Sequence, residues 1–178
     1  MNVALRNMIL VGAAVGLPAC SSLSHKPAHA TAMATLEARS GSQVGGTIGF
    51  VQMKDGTVRA HVELSGLSPG SEHGLHIHDV GDCSAADASS AGGHYNPDGS
   101  AHGRAGFGPH HAGDLDSVVA DGSGRVIADL RMEGVTVEDG ARSLVGHSVI
   151  VHRDRDDYVS QPSGNAGPRI ACGVIVRR

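Results

Sequence analysis

The sequence predicts an all-β chain, a barrel or sandwich with Greek-key or meander links. Three observations carry that expectation. Runs rich in β-branched residues alternate in polarity, as in Thr57–Leu64 (TVRAHVEL). Asp-Gly turns separate such runs. No segment repeats apolar residues at the helical period, and 26 glycines in 178 residues argue for tight turns over long helices. Two Phe, two Tyr and no Trp leave the core to Val, Ile, Leu and Ala. The length suits one domain. The net charge of −4 and the lack of a basic cluster exclude a nucleic-acid partner.

The first element is a targeting segment, residues 1–19. Arg6 precedes an apolar run, Met8–Leu17, too short to span a bilayer comfortably but fitting a signal-peptide core. The run ends at Leu17-Pro18-Ala19-Cys20, which resembles the lipobox of bacterial lipoproteins, where Cys20 would carry lipid. The competing reading is an ordinary secretory signal cut near Ala28 or Ala30. Ser21, rather than Asp, after Cys20 favours outer-membrane anchoring over inner-membrane retention. Removing residues 1–19 takes away Arg6 and no acid, which leaves 13 basic and 18 acidic side chains, net −5. Residues 20–34, rich in Ser, Ala, His and Pro, read as a flexible tether, with His25 and His29 as solvated tail residues.

The folded domain is expected over 35–178. Thr35–Arg39 is a first strand. Gln43–Met53 and Thr57–Leu64 flank Lys54-Asp55-Gly56 as a hairpin. Gly74–His78 is a short strand. Asp116–Ala120 and Arg125–Met132 flank a second Asp-Gly turn at 121–124, and Ser143–His152 and Ile170–Arg177 complete a count of eight. Two long loops, 79–115 and 153–169, interrupt this scaffold, and loops on rigid scaffolds are where chemistry usually sits.

Seven of the twelve histidines lie between His73 and Asp114, a stretch too polar and Gly-rich to bury much surface by itself. Strand alternation puts His76 and His78 on one face and Ile77 on the other, in the core. His152 ends another strand, sharing its face with Ile150. His94, His102, His111 and Asp114 follow at intervals of 8, 9 and 3. Three imidazoles and a carboxylate suit tetrahedral zinc; a nitrogen-only set suits divalent copper. If Cys20 is lipidated, Cys83 and Cys172 remain. In an exported protein they are expected to pair, tying the His-rich loop to the last strand; the alternative is two free buried thiols.

Several motifs in order give a specific resemblance over residues 35–178: Gly74-Leu75-His76-Ile77-His78, Gly81-Asp82-Cys83, Gly92-Gly93-His94-Tyr95-Asn96-Pro97, His111-Ala112-Gly113-Asp114-Leu115, Val151-His152, and Gly164 through Gly173 (GNAGPRIACG). The chain resembles the bacterial copper–zinc superoxide dismutases. The resemblance implies an eight-stranded Greek-key β-barrel, an Ig-like sandwich. It implies copper on His76, His78, His94 and His152, and zinc on His94, His102, His111 and Asp114, with His94 bridging. It implies that Asp156 links a copper histidine to a zinc histidine, that Arg169 is the active-site cation, and that His94 does acid–base work as copper cycles between two oxidation states. The expected substrate is superoxide, and the expected role is antioxidant defence in the bacterial envelope, on the periplasmic side.

His110 is then a neighbour, and His61, His73 and His147 are structural or exposed. The segment between Asp157 and Gly164 carries no Lys or Glu, so steering rests on Arg169 and nearby basic residues such as Arg104. Bacterial members differ in subunit arrangement, which leaves monomer and homodimer both open. The rival function is a non-enzymatic copper- or zinc-binding periplasmic lipoprotein on the same fold, which would be expected to lose a copper ligand or the arginine.

Overall fold

The structure is a computed structural model that describes residues 31–178. The expected signal segment, Cys20, His25 and His29 lie outside the described residues. Among the described residues nine antiparallel strands form: β1 (Thr31–Ala38), β2 (Gly45–Gln52), β3 (Val58–Ser65), β4 (Glu72–His73), β5 (Leu75–His78), β6 (Val118–Val119), β7 (Val126–Met132), β8 (Ser148–His152) and β9 (Arg169–Arg177). A curled sheet of order β5-β8-β9-β1-β2-β3-β7 holds seven of them, and β4 pairs with β6. β4 and β5 are one strand broken at Gly74. The turn at 121–124 joins β6 to β7, closed by the Asp121 N–H on the Arg125 carbonyl at 2.7 Å. Counted this way the barrel has the eight strands expected.

Three boundaries differ from expectation, each for a local reason. β1 starts at Thr31, so the last four residues of the expected tether are strand: Ala32, Ala34 and Leu36 alternate into the core, and Thr31 pairs with Val51. The strand expected at Asp116–Ala120 shrinks to two residues, because Asp116 binds Arg104 and the Ser117 N–H goes to the Tyr158 hydroxyl. Ser143–His147 is a turn, not strand. Its Leu144 N–H bonds the Thr136 carbonyl, and Gly146, at φ 92, bonds the Ile175 carbonyl.

The core is aliphatic, as the composition requires. Ile48, Phe50, Leu75, Ile77, Leu144 and Ile175 are fully buried, each contributing about 1.5–3 kcal/mol by burial. β8 is buried on both faces. Val149 and Val151 enter the main core, while Ile150 packs with Ala88, Ala91 and the Cys83–Cys172 bridge. His152 shares the Ile150 face, as alternation demands.

The long loop is held on the free edge of β5. Its residues 93–95 and 112–114 run beside that strand as short ladder segments: Tyr95 N–H bonds Ile77 O at 2.8 Å, and Ile77 N–H bonds Gly113 O at 2.8 Å. A Cβ on Gly113 would collide with the Ile77 carbonyl, so this close approach needs glycine. By this route the loop histidines reach β5 in fixed register, with His94 opposite His78 and Asp114 opposite His76.

Candidate metal centre

β5 presents His76 and His78 outward from the core, and β8 delivers His152 beside them. Their rings form a tight cluster with His94: centroids lie 4.0 Å apart for His76–His94, 4.9 Å for His76–His152 and 5.0 Å for His78–His94. His102 and His111 stand on the far side of His94, each at 5.3 Å. Among the described residues two groups have ligand atoms within 4.8 Å of one another: His76, His78, His94 and His152, and His94, His102, His111 and Asp114. The structure therefore brings together all seven residues singled out in the sequence, in the two expected groupings.

The hydrogen bonds decide which nitrogen of each ring is free. His78 donates from Nδ1 to the Gly92 carbonyl at 2.9 Å, and His152 from Nδ1 to the Gly167 carbonyl at 3.0 Å. A carbonyl only accepts, so Nε2 of both rings carries the lone pair. His76 donates from Nε2 to Asp156 at 2.7 Å, and His102 from Nε2 to the other Asp156 oxygen at 2.9 Å. Asp156 is fully buried and hydrogen-bonds one histidine of each group. Such a partner fixes tautomer and ring orientation. Among the described residues, the buried side-chain atoms without a hydrogen bond are His76 Nδ1, His78 Nε2, His94 Nε2 and His152 Nε2, together with His102 Nδ1, which has only a poorly directed contact with Asp114 at 3.1 Å. Buried polar atoms are rarely orphaned, and here the first four-histidine group contributes one from each ring. That donor set fits a metal.

The second group closes on Asp114. Its carboxylate lies 2.8 Å from His94 Nδ1, 3.1 Å from His102 Nδ1 and 3.2 Å from His111 Nδ1. It also accepts the His111 N–H at 2.8 Å. His94 thus turns Nδ1 to Asp114 and Nε2 to the other group.

Burial sets the charge states. It pushes His76 down to about 4, against the pull of Asp156, and His152 down to about 3. His78 is lowered too, again by burial. All three are neutral imidazoles at pH 7, the form that ligates metal. Burial opposes charge on His102 as well, but the Asp114 and Asp156 carboxylates beside its two nitrogens outweigh this and raise it to about 9. Burial would raise Asp114 and Asp156; the histidine hydrogen bonds win and hold both below the usual carboxylate range.

A cleft of about 440 Å³ opens on the four-histidine group, lined by His78, His94, His111, His152, Ser163 and Arg169, with Asn96, Pro162 and two glycines. Arg169 is its one cation, half-buried and clamped by the Ala88 carbonyl at 2.7 Å and the Gly92 carbonyl at 2.7 Å. Gly92 O therefore holds both Arg169 and His78. Backbone acceptors of this kind leave no sequence signal. Ala88, in left-handed conformation at φ 58, aims one of them.

Arg104 is the correction. It bonds Asp116 at 2.7 Å and lies over the rings of Phe107 and Tyr158. Its charge is spent outside the cleft, which it does not line. The remaining histidines fall as expected. His61 is half-buried between Asp129 and Glu63, His73 bridges Ser71 and the His152 carbonyl, and His147 packs on Tyr95. His110 bonds the Gly108 carbonyl and joins neither group. The Cys83–Cys172 disulfide is closed.

A family model described as copper/zinc superoxide dismutase matches residues 44–175. The chain is 38% identical over 141 residues to Superoxide dismutase [Cu-Zn] 1 of Aquifex aeolicus, covering 75% of this chain and 83% of that protein. It is 34% identical over 139 residues to the superoxide dismutase-like protein YojM of Bacillus subtilis, covering 74% and 71%. Among solved structures, a double mutant of a SOD-like protein from Bacillus subtilis superposes with TM-score 0.74 at 34% identity, over 81% of this chain and 96% of that one. The clock protein EA4 superposes with TM-score 0.74 at 36% identity, over 82% and 93%. The barrel, the two ligand groups and these relatives agree: the chain belongs to the copper/zinc superoxide dismutase family, and its metals are copper and zinc.

Proposed function

We propose that this chain converts two superoxide anions and two protons to dioxygen and hydrogen peroxide, with copper held by His76, His78, His94 and His152 and zinc by His94, His102, His111 and Asp114. His94 carries the reading: one ring, its side chain 3% exposed, faces one nitrogen to each group. When bound, copper supplies a one-electron couple and zinc a fixed charge without redox chemistry. The rest falls to side chains. Arg169 draws the anion into the cleft, where no carboxylate competes among the lining residues. His94 holds and returns a proton at Nε2. Asp156 keeps His76 and His102 turned so that their free nitrogens converge.

Arg169→Gln in the metal-loaded protein is expected to slow superoxide decay about 10-fold or more and to flatten its dependence on ionic strength. Stopped-flow decay at low and high salt checks this. An unchanged rate and slope would remove Arg169 from steering.

Metal uptake has an expected pH signature. His102 holds a proton up to about pH 9 in the metal-free chain, so zinc must displace it. Zinc binding near pH 7 should release one proton and weaken as pH falls. Copper added to the zinc-loaded chain should release one more, because His94 can give a nitrogen to each group only by losing its last N–H, while His76 and His152 are already neutral above pH 5 and release none. Calorimetry in two buffers of different ionisation enthalpy reads the count.

The relative named superoxide dismutase-like, and the neighbour named a clock protein, favour one second reading: metal binding without turnover. It keeps the metals and predicts no superoxide decay above that of a copper-site variant. The disulfide fits an oxidising compartment. Lipid on Cys20 and a periplasmic, outer-membrane location complete the proposal.

A further inference from the structure

We infer that Gln161 is a positioning residue for the zinc group, acting through the backbone of His102. The inference rests on the ligand assignment above. His102 has no strand to hold it. It sits in the long loop, 24 residues beyond His78, and its imidazole is one of the groups that must stay converged on Asp114. Its neighbour Gly103 donates its N–H to Asp114 at 3.2 Å, which ties the following peptide. Its own peptide groups are held by one side chain from the other long loop. Gln161 Oε1 accepts the His102 N–H at 2.8 Å, and Gln161 Nε2 donates to the His102 carbonyl at 2.9 Å. The same Nε2 also donates to the Val159 carbonyl at 3.2 Å.

This bracket imitates a β-bridge: donor and acceptor of one residue are satisfied by one primary amide. It fixes the height and tilt of the His102 peptide, while the Asp156 bond at 2.9 Å fixes the far end of the ring. Two points of attachment, 59 residues apart for the amide and 54 for the carboxylate, define where Nδ1 points. Both come from the 153–169 loop. Gln161 is itself exposed, so packing does not hold its amide there; the hydrogen bonds and a well-anchored loop do. That loop is stiffened by Asp157, whose carboxylate collects the Val159 and Ser160 N–H groups and the Ser160 hydroxyl. No other side chain among the described residues donates to or accepts from the His102 backbone.

Among the seven ligand residues the side chain hydrogen-bonds His102 alone, through its backbone, and it does not line the cleft on the copper group. Its effect must therefore fall on the zinc group and leave copper alone. Loss of an outer partner of a metal ligand typically costs 10–100-fold in affinity. The test loads full-length protein with copper and with cobalt in the zinc group, whose visible band reports ligand geometry. Gln161→Met removes both hydrogen-bonding ends at similar length. Gln161→Glu keeps the acceptor for the His102 N–H and loses the donor. Expected for Gln161→Met is cobalt loss to a chelator about 10-fold faster, with an altered cobalt band, an unchanged copper band and an unchanged melting temperature of the metal-free chain. Gln161→Glu should fall between. Cobalt loss and a band like the parent's in both variants would overturn the inference. Equal loss of copper and cobalt would also overturn it, by showing a general loosening. Failure of the parent protein itself to give a histidine-rich tetrahedral cobalt band would instead sink the ligand assignment, a different and distinguishable result.

Discussion

Gly164→Ala is expected to lower metal affinity about 10–100-fold and to destabilise the chain by about 1–3 kcal/mol. Gly164 sits at φ +65, where side chains are strained. A Cβ there would also overlap Asp156 Oδ1 and lie 2.6 Å from His102 Nε2, in the hydrogen bond that links the two metal groups. Gly164 is buried, so the new atom has nowhere to go without moving Asp156. Once displaced, Asp156 releases both His76 and His102, and their rings lose the fixed tautomer. Gly56→Ala is the control. Gly56 has φ +85 in the β2–β3 turn with open space around it, so it carries backbone strain alone. Metal titration with chelator competition separates the two: Gly56→Ala should match the parent in affinity, and Gly164→Ala should not. Equal affinities for all three would show that the Asp156 link does not hold the groups.

Reducing the Cys83–Cys172 bond should destabilise the chain by about 4–5 kcal/mol in the chain-entropy view, since it closes a loop of 89 residues. The folded loop has other fastenings. The Arg39 side chain bonds the Cys83 carbonyl at 3.0 Å, and the Ser40 N–H bonds the Ala86 carbonyl at 2.8 Å. These act in the native state and leave the unfolded-state effect intact. The same loop carries Ala88 O and Gly92 O, the acceptors that clamp Arg169. Reduction should therefore slow superoxide decay as well as shift the urea midpoint. Urea unfolding with and without reductant measures the first, stopped-flow decay the second. A midpoint unmoved by reductant would mean that the packing of Ile150, Ala88 and Ala91 holds this corner by itself.

Much of the site was legible because strand geometry is periodic. His76-Ile77-His78 could be placed two out and one in from the period of two, and the structure puts Ile77 in the core. The same rule placed Ile150 and His152 together. The loop ligands were different. Spacing alone suggested metal, and the division into copper and zinc groups came from resemblance to a known family. Asp156 was readable only by that resemblance, since nothing near it in sequence marks a buried carboxylate. Gly164 lay within a quoted motif, yet its reason, a close approach to Asp156 and His102, exists only after both loops fold. Gln161 and the carbonyls of Ala88 and Gly92 gave no signal at all. Their function depends on backbone groups, which every residue has. Arg104 was misjudged because its charge was visible and its partner Asp116, twelve residues on, was not.

The direct test of the central claim loads the soluble domain, lacking residues 1–20, with copper and zinc. Bound metal per chain and superoxide decay are measured in the same sample, beside His78→Ala. His78 Nε2 is one of the orphaned atoms of the copper group. One copper and one zinc per chain, with fast decay abolished in His78→Ala, is the expected result. Full metal loading with decay no faster than in His78→Ala would contradict the proposed activity and leave a metal-binding protein on a superoxide dismutase fold.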